Sequence, residues 1–472
     1  MKYELVIGLE THVELNTESK IFCSCGGHSA SQEPNDCVCP ACSGMPGMLP
    51  VMNKHVVELA ATAGLLLNCE ISRYTTFDKK NYYYPDLPCA YQITQLNHPI
   101  CTNGLVKLKT SEGERDIRIK QIHMEEDAGK LVHVGKASYV DFNRTSVPLI
   151  EIVTQPDFRS AEEVIVYLNK LKTMFRAGGI SDCELGTMRC DVNISVRPEG
   201  SSEYGVRSEI KNMTSFESIE RAIRYEAQRH MDAIEFETEE LVQETRRFDD
   251  ASGKTFAMRN KETEADYRYF PDANLMPIII DDEWFEEIKA NMPAAIDEKA
   301  DNYRAAGISE KEIEMIIDNH NVSTLLDAVV AMGCDAKSTA GWILTECAGV
   351  LRKNGKLIKD LDIAAEKLAA IIKLVDSGEI NRMNGRKTLT AVLEEDVDPA
   401  AYIKENGFDK KVDTATIEAI MDKVLAENTQ ALEDFRNGKV KAKQALFGAC
   451  MRELKGIGDP AVIREMLDKK LG

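Results

Sequence analysis

The chain begins with a strict alternation of apolar and polar positions. In Leu5-Val6-Ile7-Gly8-Leu9-Glu10-Thr11-His12-Val13-Glu14-Leu15 the odd positions run Leu, Ile, Leu, Thr, Val, Leu, and the even positions end in Glu10, His12 and Glu14. Side chains on a strand alternate faces, so this segment predicts a strand with one apolar face and three titratable groups in a row on the other. The pattern recurs. Residues 117–125 place His123 and Glu125 on one face, and residues 147–153 set a lone Glu151 among apolar neighbours. Residues 188–197 align Arg189, Asp191, Asn193 and Arg197, and residues 206–211 align Arg207, Glu209 and Lys211.

Helical spacing lies between these strands. Ser160-Ala161-Glu162-Glu163 has the form of a capping box, followed by Val164, Tyr167, Leu168, Leu171 and Phe175. Thr214-Ser215-Phe216-Glu217 opens a second helix, carrying Arg221, Arg224 and Arg229. Both helices are expected to pack the back of a sheet, with the arginines at the surface. From about Pro293 the period becomes helical, as in Ile313, Ile316, Ile317 and then Leu325, Leu326, Val329, Val330. Asn381 to Arg386 reads as a loop, and Asp396-Val397-Asp398-Pro399 with Lys404 to Gly407 reads as a linker to a small helical tail. The fold class expected is α+β.

Length and charge narrow the picture. A chain of 472 residues, 43% of them hydrophobic, is long enough for roughly three domains. A net charge of −20 disfavours a non-specific nucleic-acid binder. One segment reverses that balance: Arg436, Lys439, Lys441, Lys443, Arg452 and Lys455 face a single acid, Glu453, between Phe435 and Lys455. It is either a solvated helix face or a contact for a phosphate backbone. No segment is long and apolar enough to span a membrane. The N-terminus lacks a signal-peptide run, and thirteen cysteines is an odd number, so a cytoplasmic protein with reduced thiols is expected.

Two clusters carry candidate chemistry. On the polar strand faces, Glu, His and Asp stand where a plain solvent face would favour Thr, Lys, Ser and Gln. Converging carboxylates repel unless a cation joins them. Mg²⁺ takes oxygen ligands and bridges to phosphates, which points to a nucleotide site. No Walker loop or dinucleotide fingerprint is present, so any such site is of another kind. The second cluster is Cys23-x-Cys25 and Cys37-x-Cys39-x-x-Cys42, a spacing suited to tetrahedral zinc.

Several blocks then resemble a family, the GatB type of the bacterial tRNA-dependent amidotransferases. They are IGLETHVEL from Ile7, IFCSC from Ile21, CPACSGMPG from Cys39, KKNYYYPDLPCAYQITQ from Lys79, HMEEDAGK from His123, DFNRTSVPLIEIVTQPD from Asp141, MRCDVNISVRPEG from Met188, SEIKNMTSF from Ser208 and DYRYFPDANLMP from Asp266. The resemblance implies an antiparallel-sheet cradle domain with a zinc knuckle over 1–292, a helical domain over 293–405 and a tRNA-binding tail over 406–472. It implies a kinase-like activity coupled to amide synthesis. ATP would phosphorylate the side-chain carboxylate of mischarged Glu-tRNA(Gln) or Asp-tRNA(Asn). Ammonia would then displace phosphate. It would be channelled from a separate amidase (glutaminase) subunit, belted to this one by a small third subunit. Glu10, His12, Glu125 and Glu151 would hold Mg²⁺. Asp191, Asn193, Glu209, Lys211 and Lys79 would line the nucleotide site. Lys79 and the stretch Tyr82 to Pro88 would border the ammonia exit or the acceptor end. Cys23, Cys25, Cys39 and Cys42 would hold Zn²⁺ with Cys37 outside the set, and Lys439, Lys441 and Lys443 would meet tRNA. The alternative is a non-catalytic, zinc-stabilised scaffold that presents tRNA to another enzyme.

Overall fold

The computed structural model describes residues 2–471 except 28–32, 185, 261–266, 293–295, 410–413, 437–439 and 455–459. The chain divides into two compact units, Met1–Ile296 and Asp297–Gly472. The first is built on a nine-stranded sheet. Its strands are β1 (Tyr3–Glu14), β2 (Glu70–Ile71), β6 (Cys101–Thr110), β7 (Gly113–Glu126), β10 (Pro148–Thr154), β11 (Met188–Pro198), β12 (Ser208–Met213), β13 (Glu244–Asp249) and β14 (Lys254–Asn260). Between these in the chain lie β3 (Tyr74–Thr75), β4 (Asp78–Asn81), β5 (Tyr91–Thr94), β8 (Lys130–Val134) and β9 (Ala137–Asp141), with β15 (Phe270–Pro271) near the end of the unit. The spatial order is β14-β13-β12-β11-β1-β10-β7-β6-β2, antiparallel throughout except for β12 against β13. A smaller sheet, β15-β4-β5, adjoins the end of β7 through the bond from the Ile93 amide to Glu126 Oε1 (3.0 Å).

The alternation fixes which face is covered. Ile7, Leu9, Thr11, Val13 and Leu15 are all buried. Against them pack helices α1 (Lys54–Leu66), α2 (Ala161–Ala177) and α3 (Phe216–Phe236), whose Val56, Ala60, Tyr167, Leu168, Phe175, Ala222 and Ile223 share one core with the sheet. The helices start where small polar caps allow. Asn53, Ser160 and Ser215 each accept a backbone N–H of the first turn. The capping box at Ser160 is half formed: Glu163 reaches back to the Arg159 amide, 2.6 Å away.

Between α3 and the sheet lies a buried charged network that the sequence concealed. Arg229, expected at the surface, is held by Glu226 at 2.6 Å and by Glu239 at 2.9 Å. Glu226 also takes a bond from Thr255 (2.6 Å) and lies 3.3 Å from His230 and 3.4 Å from Arg246. Burial alone would raise the Glu226 pKa, but hydrogen bonds from His230, Arg229 and Thr255 outweigh it and hold the carboxyl well below its usual range. A depressed carboxyl stabilises the fold above its unfolded pKa, and that contribution fades as pH falls through the acid range. Glu226→Gln should therefore cost about 3 kcal/mol near neutrality. Melting temperatures measured from about pH 5 down to about pH 2 should fall less steeply for the variant than for the parent.

In the second unit the helical pattern holds, with Ile313, Ile316, Ile317, Leu326 and Val329 buried. Two passages read as loop and linker are instead helix starts. Asn381 caps helix Arg382–Glu395, and Asp398 caps helix Pro399–Glu405, with Pro399 at its first position. Gly385 is a packing residue there. A Cβ would sit 2.6 Å from Val375 Cγ2 and 3.0 Å from Trp342 Cη2. The tail helices close over a core of their own, including Ile417, Met421, Leu446, Cys450, Ile463 and Leu467. No helix among the described residues is long and apolar enough to cross a membrane.

Candidate functional site

Strand register assembles the site. β1 lies between β10 and β11, so His12 stands opposite Glu151 on one side and Arg189 on the other. Glu151 in turn stands opposite His123 on β7. Two residues along β1, Glu10 faces Asp191, and Gly8 faces Asn193, which pairs with Glu209. The polar residues chosen by alternation therefore share one face, but they gather into two groups.

The first group is His12, Glu125 and Glu151, whose ligand atoms lie within 4.8 Å of one another. His12 Nε2 is 3.4 Å from Glu125 Oε1 and 3.6 Å from Glu151 Oε2. His123, beside Glu151 on the neighbouring strand, supports them, with Nε2 2.8 Å from Glu151 and 3.7 Å from Glu125. Burial opposes charging the His123 ring, but the two carboxylates overcome it and push its pKa up to about 10. Burial likewise works against the Glu151 anion, and His123 and His12 more than offset it, so its pKa lies well below the ordinary value. Thr94 of β5 donates to the second oxygen of Glu125 (3.4 Å). Nδ1 of His123 is buried and has no hydrogen-bond partner among the described residues. Sequence reasoning put His123 on this face without giving it a role. Its signal was the same alternation that selected Glu125.

The second group is Glu10, Asp191 and Glu209. A cation is already built into it. Lys211 Nζ lies 2.6 Å from Asp191 and 2.6 Å from Glu209. Asn193 donates to Glu10 Oε1 (3.0 Å), and the Asn212 amide donates to Asp191 (2.7 Å). Burial, then the negative charge of Glu151, raises the Glu10 pKa. Glu10 thus sits with Asp191 and Glu209 and not inside the histidine group. Lys79 points elsewhere, 3.5 Å from Asp272 and 4.2 Å from the centre of the Tyr91 ring. It is the next residue, Lys80, whose charge is felt at Glu151.

The cysteines form a third group. Cys23, Cys25, Cys39 and Cys42 converge, with sulfurs within 4.8 Å of one another. Cys37 turns its thiol to the Gly26 carbonyl (3.6 Å), which separates it from Cys39. All thirteen cysteines are free thiols. Hydrogen bonds from the Cys23 thiol and the Cys39 amide, with the nearby Lys20 ammonium, outweigh burial and lower the Cys42 pKa to about 4. Lys20 itself was missed. It is fully buried, and its Nζ reaches the Cys37 carbonyl at 2.9 Å and Cys42 Sγ at 3.6 Å. Nothing in a lone lysine between Ser19 and Ile21 announces this, because buried and exposed lysines look alike in sequence.

Of the basic tail, Lys439 lies outside the described residues. Lys441 belongs to helix Val440–Glu453, and Lys443 on the same helix is ion-paired with Asp468.

A mixed sheet with two acidic groups on one face, followed by an all-helical unit, matches two known families of domain. Residues 5–286 match the GatB/GatE catalytic domain, and residues 324–471 match the GatB domain. Among known proteins, the B subunit of the aspartyl/glutamyl-tRNA(Asn/Gln) amidotransferase of Lachnospira eligens is 46% identical over 481 residues, covering 99% of each chain. The same protein of Lachnoclostridium phytofermentans is 44% identical over 474 residues, again covering 99% of each. That of Clostridium beijerinckii is 43% identical over 477 residues, covering 100% of this chain and 99% of its own. Fold, site and matches together define an amidotransferase component. The chain belongs to the GatB family.

Proposed function

We propose that this chain is the tRNA-amidating subunit of a complex that converts Glu-tRNA(Gln), Asp-tRNA(Asn) or both into Gln-tRNA(Gln) and Asn-tRNA(Asn). The observation that carries the reading is the His12–Glu125–Glu151 group, two carboxylates and an imidazole brought from three strands onto one face. In the reaction the side-chain carboxylate oxygen of the esterified amino acid attacks the γ-phosphorus of ATP, and ADP leaves. Ammonia then attacks the acyl carbon, phosphate leaves, and a proton is lost to give the amide. Activation is required because a carboxylate is a poor electrophile whose charge repels a nucleophile.

The donor set fits a hard divalent ion: two carboxylates and an imidazole, with His123 donating to Glu151 from the adjacent strand. His12, Glu125 and Glu151 would hold Mg²⁺, which when bound offsets the negative charge of the phosphates. Around it the residues of the chain orient and insulate. His123 fixes the Glu151 carboxylate. Lys211, clamped between Asp191 and Glu209, supplies a fixed positive charge beside Glu10, and Asn193 sets the Glu10 rotamer. The four-thiol group fits a closed zinc site with no open position, so Cys23, Cys25, Cys39 and Cys42 are assigned a structural Zn²⁺. Lys20 offsets the charge of such a thiolate set.

The division at 292 and 405 and a cytoplasmic location complete the reading. So do its partners, an amidase (glutaminase) subunit and a small third subunit, with ammonia delivered through a channel. Its test is the assembled complex with ATP and ammonia. Glu-tRNA(Gln) or Asp-tRNA(Asn) should become amidated with ADP released, and tRNA binding with no ATP cleavage would leave only the scaffold alternative. Reversing Lys439, Lys441 and Lys443 to Glu should weaken tRNA binding. It should also flatten the slope of log affinity against log salt by about 0.7–0.9 per lost phosphate contact. Unchanged affinity and slope would return that helix to a solvated face.

A further inference from the structure

Four residues stand in one row across the sheet: His123 on β7, Glu151 on β10, His12 on β1 and Arg189 on β11. The row ends on a guanidinium. Its head runs back along the polar face, with Nη2 2.6 Å from Asp127. Asp127 directly follows β7, beyond the row in which Glu14, Leu149 and Glu125 stand opposite one another. The head of Arg189 therefore lies on the far side of His12 from Glu10. There Glu14 and Glu125 both favour its charged form.

Asp127 is a shared anchor. Its Oδ2 also lies 3.4 Å from Arg144 Nε, and Arg144 is fixed by the carbonyls of Ala128 (3.0 Å) and Gly129 (2.9 Å). Two guanidiniums thus converge on one carboxylate. Glu14 beside them does not cancel the excess, because burial, then the charge of Asp127, pushes its pKa up to about 7. Asp127 takes the Nη2 end of a fork that carries five donors, and 16% of the Arg189 side chain is exposed, so the fork is reachable. The other cations of this face are less suited. Lys211 is clamped by Asp191 and Glu209, and Lys80, 4.8 Å from the centre of the Tyr267 ring, offers a point charge instead of a planar fork.

We infer that Arg189, anchored on Asp127, receives the side-chain carboxylate of the esterified amino acid and so makes the site select an acid over its amide. The inference rests on the amidation reading. In phosphoryl transfer the attacking and leaving oxygens lie roughly in line. With the nucleotide on the Glu10–Lys211 side and the His12 group in the middle, the attacking carboxylate belongs on the other side, where the Arg189 head lies. An anion that enters among Glu125, Glu126 and Asp127 needs a fixed cation to stay there. One carboxylate oxygen rests on the guanidinium while the other attacks the γ-phosphorus and ADP leaves. Once ammonia has displaced phosphate, the neutral amide no longer makes the charged pair, and the product is released.

The test uses the assembled complex, without ATP or glutamine, and measures its affinity for Glu-tRNA(Gln), Gln-tRNA(Gln) and uncharged tRNA(Gln). The parent should bind the glutamyl form about ten-fold more tightly than the other two. Arg189→Gln should bring the glutamyl form down to the level of the glutaminyl form and leave the other two affinities unchanged. Arg189→Lys keeps a charge beside Asp127, should melt as the parent does, and should still lose most of the preference because the fork is gone. If Arg189→Gln does not fold, Arg189→Lys decides alone. A preference that survives in Arg189→Lys overturns the inference, and so does an equal loss for all three RNAs, which would make Arg189 a general support. A parent complex that amidates but binds the three forms alike removes this inference alone. A parent that shows the preference without amidating leaves the contact standing and removes the activity proposed above.

Discussion

His12→Ala is expected to lower ATP-dependent amidation by ~10²–10³-fold while leaving tRNA affinity and melting temperature near those of the parent. The choice of residue follows from the geometry. His12 reaches both Glu125 and Glu151, and 21% of its side chain is exposed, so truncation opens no sealed void. Glu151→Ala would be a poorer probe. It strips the buried, charged His123 of its 2.8 Å partner and would mix instability with lost chemistry. Glu125→Gln keeps the volume and should match His12→Ala in activity. Single-turnover amidation with saturating ATP reads the effect directly. Normal turnover in either variant would remove the first group from the chemistry.

Replacing Cys23 and Cys25 together by serine should have the opposite signature. A closed thiolate site supplies ~10 kcal/mol or more of metal-binding free energy that is also folding free energy. Without it the loop following β1 should open locally, exposing Lys20 and the segment that reaches Asn53 through the Val51 and Asn53 amide bonds to Phe22 and Ile21. Metal analysis should fall from one zinc per chain to none, and limited proteolysis should cut the loop before the sheet. Amidation should drop only as far as the loop's disorder reaches the site. A variant that keeps the loop protected yet abolishes ATP cleavage would make the thiol group part of the chemistry.

Much of the site was legible because period-two alternation survives in sequence. It put Glu10 with His12, Glu125 with His123, Asp191 with Asn193 and Glu209 with Lys211, each pair on the polar face of its own strand, and singled out Glu151. What it left open was the grouping. Glu10 and His12 are two residues apart, about 7 Å along a strand. Only register places one against Asp191 and the other against Glu151. Register is a long-range property and leaves no local mark. Buried charges were also hidden. Lys20, Glu226 and Arg229 carry the same letters as surface residues, and only their partners distinguish them. At Asn381 and Asp398 the signals were read but misassigned, because residues that turn a chain also cap helices. Gly385, which reads as a breaker, makes room for Trp342.

The central strand has a consequence for biosynthesis. β1 leaves the ribosome well before β11, and the partner that sets Glu10 lies 183 residues further on. At 5–20 residues per second the strand waits ~10–40 s, with an apolar face and an open edge exposed, before β11 exists to pair with it. The nascent chain is therefore most open to aggregation at β1 and most in need of a chaperone there. A translational pause between β10 and β11 should lower the soluble yield more than the same pause placed after β12.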